Sequence, residues 1–273
     1  MYFSPIDKKI FRFILDKINL EFPSKRKSKY SNSYYLQKII FILKSGCSFR
    51  EATCDHHKRN HYSTVYKKFQ NWLNKGIFDN LYEELIKKYK NKFYKHQKKS
   101  NILILFIDST NIRNKNGKEF IGSNYQDKYK NGTKITTICD QNKFPLTMDV
   151  IEANIHDSKR IHKSLDLLET GIGKTYEIFL VGDKGYIVND TAKKVLLKRK
   201  VKLVHPYRKN QKRTNTKYEK RILKDRHNVE NLFAILKQNK KIQQRYEATK
   251  KSFTGFIKLA YIYIGYRILL KES

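Results

Sequence analysis

The 273-residue sequence predicts an α/β protein, a mixed sheet flanked by helices, preceded by a small all-α domain of helix-turn-helix-like type. Three observations predict it. Apolar residues recur at helical spacing through roughly the first hundred positions. A continuous apolar run, ILILFID at 102–108, is then too short for a typical helix and reads as a strand buried on both faces. Beyond it, short extended runs alternate with helical patterns. The domain boundary is expected at 98/99, inside the polar, basic stretch KNKFYKHQKKS at 90–100, which reads as a linker.

In the helical part, SYYLQKIIFILKSG predicts a helix ending near Gly46, and SFRE at 48–51 has the form of a capping box. STVYKKFQNWLNKG predicts a helix from a Ser63 cap to Gly76, and a fourth follows at 78–93. Closely joined short helices in a basic chain suggest a DNA-reading module, with Thr64, Lys67, Lys68 and Asn71 on the exposed face of the reading helix. An ordinary helical bundle is the competing reading.

In the second part, TKITTICD and FPLTMDVI flank the turn Asp140–Lys143 and read as an antiparallel hairpin. A helix at 158–168, the strand EIFLVGD at 177–183, a helix at 190–199 and the strand VKLVHP at 201–206 follow, then two long helices. Two buried strands entering one sheet bring their carboxyl ends, and with them Asp108 and Asp183, to the same edge. In DRHNVENLFAILKQNKKI, apolar residues at 229, 232, 233 and 236 form the stripe that packs on the sheet, so Glu230 on the adjoining stripe can point at the two aspartates.

Composition sets the partner class. Lys and Arg total 59 against 25 Asp and Glu, a formal charge of +34, and such an excess self-repels unless a polyanion is the usual partner. Codon bias toward Lys, Asn, Ile and Tyr would enrich those residues without making acids so scarce. Nucleic acid is the expected ligand. Tyr and Phe stand among the lysines, as in YKKFQNW, where base stacking and amphipathic packing are both open. Cys47, Cys54 and Cys139 form no disulfide framework and fit a reducing compartment. Cys47, Cys54, His57 and His61 mimic a zinc pattern, but the first interval exceeds the usual two to four residues. No charged-then-apolar leader opens the sequence, and the apolar stretch Phe256–Leu270, broken by Lys258 and Arg267, reads as a core-covering helix with no membrane role.

Three carboxylates converging in so positive a chain would repel one another unless a cation were bound, and two Mg²⁺ (or Mn²⁺) ions suit such oxygen ligands. Such a pair, about 3.5–4 Å apart, promotes in-line phosphoryl displacement and suits a nuclease or strand transferase. Each acid also has a structural reading. Asp108, before Ser-Thr-Asn, can cap a turn; Asp183, before Lys-Gly, can sit in one; Glu230 can pair with Arg226 one helical turn earlier.

The motifs GCSFRE at 46–51, FIDSTNIR at 106–113, ANIHDSK at 153–159, LVGDKGY at 180–186, HPYRKN at 205–210 and RHNVENLFAILKQNKKIQQRY at 226–246 occur in family order. By these the chain resembles the DDE transposases of bacterial insertion sequences, in the broad group of insertion sequences four and five, and the related Harbinger-type nucleases. The resemblance implies a ribonuclease-H-like catalytic domain at 99–273 whose triad is Asp108, Asp183 and Glu230, all three catalytic and metal-binding. It implies hydrolysis at an element's end and attack of the freed 3′ hydroxyl on target DNA. It further implies double-stranded DNA as the partner, with Arg226 and Lys237 binding terminal phosphates or steadying Glu230 and Lys184 touching the scissile strand; Lys67, Lys68 and Asn71 are added as DNA contacts by the helix-turn-helix reading alone.

The family's third-acid signature places a Tyr three residues before the Arg, where this chain has Leu223, so no tyrosine role carries over. The short interval between Asp183 and Glu230 leaves no room for the inserted β domain of some relatives. His156 and Asp157 read equally as supporting groups and as a helix-start turn. Joining two ends implies a homodimer or larger synaptic assembly on terminal inverted repeats. The expected location is the bacterial cytoplasm and nucleoid, or the nucleus for a eukaryotic or viral chain. A transposase-derived DNA-binding protein that no longer cuts and a structure-selective nuclease such as a junction resolver are the alternatives.

Overall fold

The computed structural model describes residues 4–23, 30–53, 62–94, 102–172, 176–207 and 214–271. Its elements in chain order are α1 (Pro5–Glu21), α2 (Asn32–Ser45), α3 (Phe49–Ala52), α4 (Tyr62–Asn74), α5 (Ile77–Phe93), β1 (Ile102–Asn114), β2 (Gly122–Asn124), β3 (Lys130–Cys139) and β4 (Asp149–Glu152). They continue with α6 (Ile161–Ile172), β5 (Glu177–Val181), α7 (Asp190–Lys198), β6 (Val201–Val204), α8 (Lys217–Lys224), α9 (His227–Lys237), α10 (Lys240–Gln243), β7 (Gln244–Arg245) and α11 (Lys250–Lys271). The chain forms two compact units, one of Met1–Leu85, Asn114–Glu119 and Leu236–Ser273, the other of Ile86–Arg113 and Phe120–Ile235. Three of the four boundaries fall inside α5, β1 and α9, and the fourth, at 119/120, lies between β1 and β2.

The first unit is built on helix packing. In α1 and α2 the residues at helical spacing, Ile10, Ile14, Ile18, Leu36, Ile39 and Leu43, are fully buried. Gly46 ends α2 in the left-handed region at φ 76°, and Ser48 with Glu51 closes the capping box of α3. Ser63 lies inside α4 rather than capping it, because the helix already begins at Tyr62. α11 is the one described helix long and apolar enough to cross a membrane, yet it is a core helix here. Its Phe256 stacks on Phe69 at 4.6 Å, and a methyl group on Gly255 would come within 2.3 Å of Leu73 Cδ2. That close approach explains glycine in a helix interior, where it ordinarily costs about 1 kcal/mol relative to alanine.

The second unit is the sheet, in the order β2-β3-β1-β5-β6, with β4 paired to β3. β1 is antiparallel to β3 and parallel to β5, and β5 is parallel to β6. This is the ribonuclease-H-like mixed sheet with flanking helices. The predicted hairpin is present as β3 and β4, with Cys139 bridged to Pro145 and the ladder resuming at Thr136↔Asp149. One expectation is corrected. β1 does not stop at Asp108 but runs on to Asn114, because Ser109–Arg113 pair with Gly132–Thr136 of β3. Pairing supplied by a neighbouring strand overrides the turn preference of Ser, Thr and Asn.

Within this unit Asp140 ties the hairpin turn to the end of α5. Its Oδ2 accepts from Tyr89 Oη at 2.5 Å and Tyr94 Oη at 3.0 Å, and its Oδ1 from the backbone of Asn142 and Phe144, both at 3.0 Å. Tyr89 also stacks on Phe144 at 3.7 Å. Asp140→Ala strands four donors, several of them buried, and is expected to cost about 3–5 kcal/mol in denaturant unfolding. Asp140→Asn, which keeps one acceptor oxygen and so one of the two donor pairs, should cost less; equal losses would mean that the retained acceptor bonds do not hold the turn.

Candidate active site

Parallel pairing aligns the first two acids. The parallel register ends with Phe106 opposite Val181, two residues before each acid, so Asp108 in mid-strand and Asp183 just past the end of β5 lie near enough for the Asp183 charge to act on the Asp108 carboxyl. Asp108 is held by its neighbour's backbone, Ser109 N–H donating to Oδ1 at 2.8 Å. Asp183 opens a 3-10 turn and accepts from Gly185 N–H at 2.7 Å. The turn needs both of its glycines. A Cβ at Gly185 would meet Asp183 Oδ1 at 2.9 Å, and one at Gly182 would meet the Tyr186 ring at 2.9 Å. Tyr186 is fully buried, with its hydroxyl 3.0 Å from Ser109 Oγ, which in turn lies 2.9 Å from Thr136 Oγ1. This network fixes the strand bearing Asp108 to the turn bearing Asp183.

Glu230 sits on the first turns of α9, whose Val229, Leu232 and Phe233 are buried as expected. The Arg226 guanidinium, just before the helix, donates to Glu230 Oε1 and lies 3.4 Å from Asp108 Oδ2. One cation thus links the first and third acids, and the helical ion pair read from the sequence is present. Burial pushes the Asp108 carboxyl up to about 6, and the nearby Asp183 charge adds to the rise against Ser109 N–H and Arg226. Its side chain is 18% exposed, Arg226 28% and Glu230 50%, so the group opens outward along α9.

Asp157 belongs to the same neighbourhood. Its Oδ2 lies 3.4 Å from the Cβ position of Gly185, while Oδ1 accepts from the buried Lys134 Nζ at 3.0 Å. Lys134 also donates to Ile155 O at 2.8 Å. The sequence reading missed Lys134, Ser109 and Tyr186. Lys134 was legible only as a lysine interrupting an apolar strand, and Ser109 and Tyr186 carry no spacing signal of their own beside Asp108 and Asp183.

The basic candidates separate. Lys184 is exposed beside Asp183. Lys237 ends α9 and falls in the helical unit, where burial holds its ammonium below the usual range. On α4, Lys67 and Asn71 are exposed and Thr64 and Lys68 half-buried, with Lys68 Nζ 5.5 Å from the Tyr35 ring centre. Cys54, His57 and His61 lie outside the described residues.

Among the described residues no three His, Cys, Asp or Glu side chains stand close enough to hold a metal ion. The donor set nevertheless fits a hard divalent cation. It offers only carboxylate oxygens, and Asp108 and Asp183 form a like-charged pair whose repulsion such an ion relieves.

A family model described as the transposase DDE domain matches residues 99–264, more than half of the chain. The chain belongs to the transposase DDE domain family. The match covers β1 through most of α11 and spans Asp108, Asp183 and Glu230. No curated protein matches the sequence. Among solved structures, the chain is similar to the Mos1 strand transfer complex at 10% identity, covering 88% of this chain and 78% of that one, with a TM-score of 0.34. A pre-cleavage Mos1 transpososome gives 11% identity, coverage of 91% and 80%, and a TM-score of 0.33. The Mos1 paired-end complex with the left transposon end gives 10%, 85% and 80%, and 0.28.

Proposed function

We propose that the chain is a transposase that binds the ends of its own element and catalyses strand cleavage and strand transfer through Asp108, Asp183 and Glu230. The observation that carries this reading is the nearness of Asp108 on β1 to Asp183, just past the end of the parallel neighbour β5, with Glu230 joined to Asp108 through Arg226. The family supplies the reaction class. The three carboxylates would hold Mg²⁺ or Mn²⁺, two ions in this reading, which supply charge stabilisation to the attacking and leaving oxygens of a phosphodiester.

The chain's own residues do the rest. The Ser109–Tyr186 hydroxyl contact and the Gly185 N–H keep the two aspartates at fixed separation, so little reorganisation is left to the reaction. Arg226 holds Glu230 toward Asp108 and, with Lys184, offers positive charge to DNA phosphates. Hydrolysis consumes a water and frees a 3′ hydroxyl. That hydroxyl then displaces a 3′ oxygen of target DNA, so one diester bond forms as another breaks. The division of labour follows the sequence reading: residues 1–98, with Lys67, Lys68 and Asn71, read DNA, and residues 99–273 carry the chemistry, with Lys237 as a further phosphate contact. Two ends to be joined call for at least a dimer. Membership in the group of insertion sequences four and five, and action at the nucleoid or in the nucleus, complete the proposal.

The test is a nicking assay on duplexes carrying the inverted repeats that flank the gene, with and without Mg²⁺ or Mn²⁺. Metal-dependent nicks at the repeat ends are expected. Tight binding without nicks would favour a transposase-derived DNA-binding protein. Equal cutting of branched DNA whatever its end sequence would favour a junction-resolving nuclease.

A further inference from the structure

The segment joining β2 to β3 in the sheet unit carries two tyrosines that the catalytic reading does not use. Tyr125 is 77% and Tyr129 67% exposed, the highest values among the described aromatic residues. Their rings meet edge to face, with centroids 5.5 Å apart and planes at 84°. Large rings held so far into water have no packing explanation.

The tip is built, not loose. Arg113 grips Asp127 with a two-pronged fork, Nε to Oδ2 at 2.8 Å and Nη2 to Oδ1 at 2.7 Å. Tyr129 N–H donates to Asn124 O at 2.9 Å, and Ser123 Oγ donates to Tyr129 O at 3.1 Å. Lys128 and Tyr129 both adopt left-handed backbone, at φ 50° and 59°, a conformation that glycine or asparagine takes at far less cost. The chain has Asn131 and Gly132 just beyond, yet sets Lys and Tyr in these two positions. Strain retained at an exposed tip points to a use for the side chains it displays. Lys128 and Lys130 are exposed beside the rings, so the tip joins aromatic faces to positive charge.

We infer that this tip binds unpaired nucleotides of DNA, Tyr125 and Tyr129 stacking on unstacked bases while Lys128 and Lys130 contact the flanking phosphates. Lysines alone serve a closed duplex; exposed ring faces add to binding only where a base is free to stack. The inference rests on the DNA-binding reading above and adds the form of DNA that the sheet unit prefers at its rim.

The test compares fluorescence anisotropy of the full chain on a blunt duplex and on the same duplex with a short single-stranded overhang containing 2-aminopurine. The wild type should bind the overhang probe about 5- to 50-fold tighter and quench the 2-aminopurine on binding. The double variant Tyr125→Ala, Tyr129→Ala should lose preference and quenching while binding the blunt duplex as before. Tyr125→Phe with Tyr129→Phe should retain both. Lys128→Ala should weaken both probes and flatten the salt dependence. Blunt-duplex binding with no preference or quenching in the wild type, or full preference in the alanine variant, overturns the inference alone. Failure to bind either probe overturns it together with the DNA-binding reading.

Discussion

Asp183→Asn is expected to leave fold and DNA binding intact and to lower metal-dependent cleavage by about 10³-fold or more. The substitution is nearly isosteric, and the asparagine carbonyl oxygen can still accept from Gly185 N–H, so the 3-10 turn at Lys184–Tyr186 keeps its anchor. What disappears is the negative charge near Asp108. Asp183→Ala also loses the turn's hydrogen bond and so confuses charge with structure. The measurement is single-turnover nicking beside anisotropy on the same DNA. Cleavage within about threefold of wild type, with binding unchanged, would remove Asp183 from the chemistry, since loss of one such charge costs several kcal/mol of barrier. Glu230→Gln probes the third acid the same way, with one added consequence: Arg226 keeps Asp108 as its only charged partner in the pair seen here.

The element types were legible because each rests on local pattern. The alternation in TKITTICD and FPLTMDVI, the caps around Gly46 and SFRE, and the stripe Val229–Leu232–Leu236 all appear as read. The nearness of Asp108 and Asp183 was legible as far as two strands entering one sheet go. Their exact register is a property of backbone pairing that no residue announces. The run of β1 past Asp108 was hidden for the same reason: its extension is polar and gains its hydrogen bonds from β3. The structural reading of the acids leaves room for the proposed catalytic one. Asp183 caps its turn and Glu230 pairs with Arg226 while both face the Asp108 neighbourhood. A carboxylate has several lone pairs, and one hydrogen bond leaves others for a ligand. The grouping of Leu236–Ser273 with the N-terminal helices is long-range and lies beyond what periodicity can reveal.

Asp108→Asn should raise the melting temperature of the metal-free protein while abolishing cleavage. Asp108 is 18% exposed, and its carboxyl is pushed up to about 6 from an ordinary value of 3.8, burial being the main cause. Below pH 3.8 the group is protonated in both folded and unfolded chains and costs nothing. As the pH rises toward 6 the unfolded chain ionises first, so stability falls; above that value the penalty is constant. Two pKa units, a net shift that already includes the Arg226 attraction, correspond to at most about 3 kcal/mol, so about 1–3 kcal/mol is expected. For a chain of this size that is about 3–10 °C. The advantage should be greatest at pH 7.5 and shrink by about half at pH 5. Mg²⁺ or Mn²⁺ should narrow it from the other side by stabilising only the protein that retains the carboxylate. A variant that melts no higher than wild type at pH 7.5, or whose advantage grows toward pH 5, would show that this acid bears no burial strain. The metal-free fold would then have no stored cost for an ion to relieve.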